Sequence, residues 1–245
     1  MCLYDRIIPD RESEEYMYIL LICTIICTII LFLVCNVKTK PETAVYHDGV
    51  SEVVEKIGDN KQIAKEILKF IGNDKTQVEE NVDPKIKASF YNFNTDKITI
   101  KNTEDLKDCS RVIHIAHECI HSIQNKKLGF THFILSNIQI LYFLGIFIYF
   151  FYNRNLDLRF NLLLIQLFIF ILTFFIKVTL ESDATYRGPE LAFTYLKDKV
   201  NEKDLTEFKK NIQNKLYPIV PMSYFSFYMQ GALLLIIAQT GAIFI

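Results

Sequence analysis

Long runs of apolar residues alternate with polar regions along this chain. The four apolar runs cover residues 16–35, 133–152, 160–180 and 222–245. Lys177 is the only charged residue among them. A helix that crosses a bilayer needs about 20 predominantly apolar residues, and each run reaches that length. The pattern therefore predicts four transmembrane helices separated by two larger polar regions, 36–132 and 181–221.

The first polar region begins with a helix signal. Asp59 or Asn60 can cap this helix, and Gly72 is typical of a residue that ends one. Its apolar face consists of Ile63, Ile67, Leu68 and Ile71. The spacing of these residues repeats with the helical period, which predicts an amphipathic helix packed on a core.

Two strands and a second helix follow in the same region. Residues 89–93 and 97–101 alternate in polarity, and the three residues between them are typical of a tight hairpin turn. Asp105 or Asp108 can begin the next helix, which we expect to end near Gly129. The region 36–132 is therefore predicted to form a small α+β domain.

The second polar region, 181–221, lies between the third and fourth spans. The loop 153–159 is short, so the second and third spans form a hairpin that returns the chain to the side it left. We expect one or two helices in 181–221, broken at Asn201 and ended by Pro218 and Pro221. The predicted fold class is a mainly α membrane protein with a small α+β domain at one membrane face.

The N-terminal leader, residues 1–15, is acidic rather than basic, and the apolar run after it is longer than that of a signal peptide. The first span is therefore predicted to be a retained anchor. Basic residues near the span ends are more frequent on the side of the polar regions (Lys38, Lys40, Lys126, Lys127, Lys177, Arg187, Lys209, Lys210, Lys215) than on the other side (Arg6, Arg11, Arg154, Arg159). This bias predicts an integral multi-pass protein of the cell membrane, with the N-terminus outside and the polar regions in the cytoplasm.

Composition excludes several classes of function. The chain is 51% hydrophobic and 22% charged, with a formal net charge of -1. Because basic residues are interspersed with acidic ones, it has no footprint for nucleic acid. The six cysteines lack zinc-ribbon or disulfide-framework spacing, which predicts free thiols.

One motif carries specific chemistry, namely the H-E-x-x-H sequence formed by residues 117–121. On a helix, His117 and His121 share one face and can bind a single metal ion. Glu118 can act as a general base on a metal-bound water without being a ligand. A chain of this composition would contain the motif by chance about 0.006 times. Two neutral imidazoles suit zinc.

A catalytic zinc site requires a third protein ligand and one open position. The third span delivers Glu181 to the side of the membrane that carries His117 and His121. Two interpretations fit this spacing equally well: Glu181 is the third ligand, or it is an acidic residue that begins the next helix. His114 lies on nearly the same helical face as the paired histidines, and we expect it to pack beside the site rather than to bind metal.

Four segments resemble the YugP-like family of membrane neutral zinc metallopeptidases. The segments are residues 62–68, 88–100, 116–124 and 178–185. They include the H-E-x-x-H motif and the sequence Glu181-Ser182-Asp183-Ala184, and they follow the same order as in the family. One departure is Ile120, where the family usually has glycine; isoleucine is tolerated within a helix.

The resemblance implies a zincin-like domain in 36–132 and one zinc ion per chain. It implies His117 and His121 as ligands, Glu118 as general base and Glu181 as third ligand. The expected activity is endopeptidase hydrolysis of a peptide or protein substrate, including membrane-associated ones, near the membrane surface. By analogy with zincins, the strand 97–101 is expected to lie along the substrate cleft.

Three rival interpretations stay open. A CAAX-type or heat-shock-type membrane protease shares the chemistry, but Thr185 stands where that group has aspartate. A non-catalytic zinc scaffold would need a fourth ligand, for which His114 and Cys119 are candidates. A metal transporter would carry its ligands within the spans.

The role of Asp183 also has two interpretations. It can pair with Arg187 four residues further along a helix. It can alternatively orient a ligating histidine from outside the metal shell.

Overall fold

A computed structural model describes residues 11–35, 45–81, 89–101, 105–153, 155–216 and 220–245. Within them the helices are α1 (Arg11–Cys35), α2 (Asp48–Ile57), α3 (Asn60–Phe70), α4 (Ser110–Ile123), α5 (Lys126–Tyr152), α6 (Leu156–Leu196), α7 (Glu202–Leu216) and α8 (Val220–Phe244). The strands are β1 (Gln77–Asn81), β2 (Phe90–Asn92) and β3 (Lys97–Lys101). Residues 1–10 of the leader lie outside the described residues, and so does Pro218.

The chain divides into two compact units. The apolar unit comprises Met1–Val37, Thr131–Val178 and Pro221–Ile245. The polar unit comprises Lys38–Phe130 and Thr179–Val220. The predicted mainly helical class, with a small sheet in the first polar region, is confirmed in this form.

Among the described residues, four helices are long and apolar enough to cross a membrane, as the sequence predicted. They are Glu14–Cys35, Lys126–Tyr152, Leu156–Leu196 and Val220–Phe244. Among the described residues of the apolar unit, one cation, Arg159, is buried. Its guanidinium donates hydrogen bonds to the carbonyl oxygens of Asn153, Phe150 and Ala242. These acceptors at helix ends explain how the charge is accommodated.

Several predicted helix boundaries are wrong. The helix expected to end near Gly129 ends at Ile123, because Gln124 adopts an extended conformation with ψ 169°. The next helix begins at Lys126, ahead of the apolar run. The third span continues without interruption to Leu196, so Glu181 does not begin a helix.

Of the two prolines predicted to end the helices of 181–221, only Pro221 lies among the described residues. Pro221 lies in the first turn of α8, where a missing N–H costs nothing. Pro189 lies inside α6, which the sequence did not predict. The break at Asn201 is confirmed, since its side-chain oxygen accepts a hydrogen bond from the backbone N–H of Asp204 at the start of α7.

The polar unit contains a three-stranded sheet with the order β1-β3-β2. The hairpin of β2 and β3 is antiparallel, as predicted, and Asp96 in its turn has φ +50°. The parallel strand β1 was not predicted, because its sequence is polar and lacks an alternating apolar face. The N-cap of α3 is Asp59, whose side chain accepts a hydrogen bond from Gln62 N at 2.7 Å.

The start of α4 is anchored by a buried arginine, Arg111. Its guanidinium donates to Asn60 Oδ1 at 2.8 Å and to the carbonyl oxygens of Val54 and Gly58 at 2.6 and 2.8 Å. The core beneath it contains Ile63, Ile67, Ile98, Ile100 and Val112. This packing holds α4 against α3 and the sheet. The five described cysteines are free thiols, as expected.

Candidate metal centre

Three potential metal ligands converge in the polar unit. His117 and His121 lie on successive turns of α4, and Glu181 lies on α6. The Nε2 atoms of the two histidines are 3.1 Å apart. The Oε2 atom of Glu181 lies 3.4 Å from Nε2 of His117 and 3.7 Å from Nε2 of His121. The group could therefore hold one metal ion.

These separations match the geometry of a zinc shell. Tetrahedral zinc with bonds of about 2.0–2.1 Å places neighbouring ligand atoms about 3.3 Å apart. Two imidazole nitrogens and one carboxylate oxygen form a donor set that zinc accepts. Three protein ligands leave one position of a tetrahedral shell for water or substrate.

A glycine on α6 allows the two helices to approach closely. A Cβ atom on Gly188 would lie 2.9 Å from Cα and 3.1 Å from N of His117. Ala184, one turn earlier, and Ala116 on α4 are fully buried. Small residues at this crossing let the backbone of α6 contact that of α4, which brings the Glu181 carboxylate within reach of the histidines.

Glu118 lies beside this group without being part of it. Burial raises the pKa of its carboxyl group, and the positive charge that His117 and His121 can carry acts in the opposite direction. The Glu181 carboxylate raises the pKa of Glu118 further, whereas the backbone N–H of Tyr91, which donates to it, lowers it. The carboxyl group is thus close enough to sense all three candidate ligands.

His121 is the more deeply buried of the two histidines. Burial lowers its pKa, but the hydrogen bond to Glu181 and the negative charges of Glu118 and Glu181 outweigh this, so its pKa lies above the usual 6.5. Its ring packs edge-on against Phe93 with centroids 6.1 Å apart. A Cβ atom on Gly129 would collide with the same Phe93 ring, so a small residue is needed there.

The side chain of Gln124 connects His121 to α6, and no motif in the sequence indicated a role for it. Its Oε1 atom lies 2.8 Å from His121 Nδ1, and its Nε2 atom donates to Leu180 O and Asp183 Oδ2, each at 2.8 Å. The available signal was its position three residues after His121, which brings side chains together on a helix.

Both interpretations of Asp183 have a counterpart in this arrangement. Asp183 accepts hydrogen bonds from Arg187 at 3.2 Å, so the i,i+4 pair is present. It also contacts Gln124, which in turn contacts His121. Asp183 therefore reaches the histidine through Gln124 rather than directly.

The two candidates for a fourth ligand do not join the group found among the described residues. His114 is exposed on α4. Cys119 is buried, its thiol points to Ala64 O at 3.9 Å, and burial raises its pKa well above the usual value. A closed, four-ligand structural site of the kind that the scaffold interpretation needs is therefore not formed by these residues.

The expected role of residues 97–101 as an open strand along a cleft is wrong. β3 pairs with β1 on one side and with β2 on the other. Over residues 97–99, where both edges are paired, β3 offers no free backbone groups to an added peptide. The edge strand that contacts α4 is β2, through the bond from Tyr91 N–H to Glu118.

Comparison with protein-family models, curated proteins and solved structures finds no match to this chain.

Proposed function

We propose that this protein is a membrane-embedded zinc metallopeptidase that hydrolyses peptide bonds near the membrane surface, similar to the YugP-like family, with a zincin-like polar unit. The observation that carries the proposal is the convergence of His117, His121 and Glu181 with Glu118 at their side. An H-E-x-x-H helix with a carboxylate as third ligand is a combination that metallopeptidases use.

Each residue has a separate task in the proposed reaction. His117, His121 and Glu181 would hold one zinc ion. When bound there, the ion would supply Lewis-acid chemistry to the scissile carbonyl and the attacking water. Glu118 accepts the proton of that water and passes it to the leaving amine, as a general base and then a general acid. Burial, which raises the pKa of Glu118, favours this return of the proton.

The location follows from the chain order. Glu181 comes directly after the third predicted span, residues 160–180, in the same continuous helix α6. Basic residues near the span ends favour the cytoplasm for this side. We therefore propose a peptide or protein substrate that reaches the site at the cytoplasmic membrane surface.

The test is to measure zinc content and cleavage on the same preparations of the full chain in detergent. The unsubstituted protein is expected to contain one zinc and to cleave members of a mixed peptide pool. Glu118→Gln keeps the size of the side chain but removes the proton acceptor, so zinc should stay while cleavage falls by about 10²–10⁴. His117→Ala should lose both zinc and cleavage.

A scaffold that uses zinc only for structure predicts a different order of effects. Glu118→Gln would then be silent, and the histidine substitutions would mainly destabilise the fold. Cleavage by Glu118→Gln near the parent rate would end the catalytic proposal.

A further inference from the structure

Three hydrogen bonds meet on one amide at the end of α4, that of Gln124. We infer that Gln124 is a positioning residue of the metal centre: it fixes the ring of His121 and holds the Glu181 segment of α6 against α4. This inference rests on the proposed function. It is distinct from the ligand set, because within the described parts of the chain the Gln124 amide bonds to His121, Leu180 and Asp183 alone.

The partners of Gln124 determine which end of its amide faces His121. One end meets two acceptors, Leu180 O and Asp183 Oδ2, so this end must be the NH₂ group, which donates to both. The other end is then the carbonyl oxygen, which only accepts. His121 must therefore carry its proton on Nδ1, and this leaves the lone pair of Nε2 for a metal.

The Nε2 lone pair of His121 faces the other two candidate ligands. Nε2 of His121 lies 3.1 Å from Nε2 of His117 and 3.7 Å from the Glu181 carboxylate. Metal-binding histidines usually donate their second N–H to an acceptor that fixes the tautomer and the ring. Here an amide oxygen takes that place.

The NH₂ group of Gln124 bonds to residues on both sides of Glu181, the third candidate ligand. Leu180 precedes Glu181 in α6 by one residue, and Asp183 follows it by two. Because Gln124 binds on both sides of Glu181, it limits the sliding and rotation of α6 at this point. The extended conformation of Gln124 ends α4 and allows the side chain to turn toward α6.

The experiment measures zinc affinity of the detergent-purified full chain by competition with a chelator, and also the Tm of the zinc-free protein. Gln124→Leu removes all three bonds and should lower zinc affinity by about 10- to 100-fold. It should also lower the Tm of the zinc-free protein, since the link between α4 and α6 does not need metal. Gln62→Leu is the matched control, because the one bond of that exposed amide to the described residues is to Glu66 on α3; zinc affinity should be unchanged.

Exchanging the hydrogen-bond donor and acceptor between Gln124 and Asp183 distinguishes a positioning role from a general contribution to stability. Gln124→Glu keeps an acceptor for His121 but sets a carboxylate against Asp183, so zinc affinity should fall. Asp183→Asn in the same chain supplies an amide donor to the introduced carboxylate and should recover most of the loss. The recovery is judged against Asp183→Asn alone.

Each outcome decides one of the two hypotheses. Zinc binding by the unsubstituted protein together with unchanged affinity in Gln124→Leu overturns the positioning role and leaves the proposed function intact. If Gln124→Leu does not fold, the exchange decides, and absence of recovery overturns the inference. No zinc binding by the unsubstituted protein overturns the proposed function, and the positioning role with it.

Discussion

Gly188 packs directly on the backbone of His117, so that a Cβ atom on it would lie 2.9 Å from the Cα atom of that histidine. Backbone cannot yield as a flexible side chain can. The separation of α4 and α6 at the candidate metal centre is therefore set by the absence of a side chain at residue 188.

Gly188→Ala is expected to displace α6 from α4 and to weaken zinc binding. The overpacking should cost about 1–3 kcal/mol of unfolding free energy. Zinc affinity and Tm of the detergent-solubilised protein would be measured together. Gly145→Ala is the matched control, since among the described residues a Cβ on that helical glycine meets no atom within 4 Å beyond its own stretch of helix. Equal behaviour of the two variants would contradict the close approach.

The sequence could predict the parts of the site that depend on local periodicity. His117 and His121 share a face because they are four residues apart on one helix. The hairpin of β2 and β3 follows from alternation and turn residues. Local periodicity could not predict that Glu181 lies near the histidines. That prediction needed the membrane hairpin that returns the chain, and the family resemblance that selected this carboxylate.

The remaining features depend on tertiary contacts that no local pattern encodes. The sequence showed where the apolar run of the third span ends. It did not show that helix α6 continues beyond that point, because polar residues also form helix. β1 is polar and is held by its pairing with β3. Gln124 became significant only when Leu180 and Asp183 were found beside it.

Zinc should stabilise the protein, and Glu181 should be required for this effect. A ligand at about 100 times its Kd adds about 2.7 kcal/mol to the unfolding free energy. We expect added zinc to raise the Tm of the unsubstituted protein and a chelator to reverse the rise. Glu181→Gln should abolish most of the rise in Tm. Glu190→Gln should leave the rise unchanged, because Glu190 is an exposed residue of the same helix that pairs with Lys209. A full zinc response in Glu181→Gln would remove Glu181 from the ligand set.

The lowered pKa of Glu66 predicts a specific dependence of protein stability on pH. The hydrogen bond from the Tyr195 hydroxyl lowers its pKa most; burial acts against this, and Lys199 at 3.0 Å and Gln62 lower it further. Because the pKa is lower in the folded protein, the stabilisation is fully present above the unfolded value of 4.5 and is lost as the pH falls through the folded value.

Glu66→Gln should therefore lower the Tm at pH 7, and its difference from the unsubstituted protein should shrink as the pH falls below 4.5. The effect is small, under about 1 kcal/mol, since both charged groups are partly exposed and screened by solvent. Tyr195→Phe removes the hydroxyl donor and should reproduce part of the change. A Tm difference that is constant from pH 7 to pH 3 would contradict the assignment.

The last prediction concerns the core of the apolar unit, where the side chain of Gln166 is completely buried. Within the described part of the chain, neither its amide nitrogen nor its amide oxygen has a hydrogen-bond partner. It lies on α6 between the buried Leu163 and Phe170. Burying an amide without partners costs about 1–3 kcal/mol on the scale of protein mutations.

Gln166→Leu keeps a similar volume and removes both polar atoms, so it should raise the unfolding free energy by about 1–2 kcal/mol. The comparison is Gln239→Leu, because Gln239 is also fully buried and its Oε1 also lacks a partner among the described residues, but its Nε2 donates to Thr24 Oγ1 at 3.1 Å. Side-chain hydrogen bonds between membrane helices contribute about 0.6 kcal/mol on average, so this second variant should gain less. Thermal unfolding of both variants in the same detergent would rank them. Destabilisation by Gln166→Leu larger than that by Gln239→Leu would mean that the Gln166 amide is satisfied in the folded protein, and would contradict the expected order of the two variants.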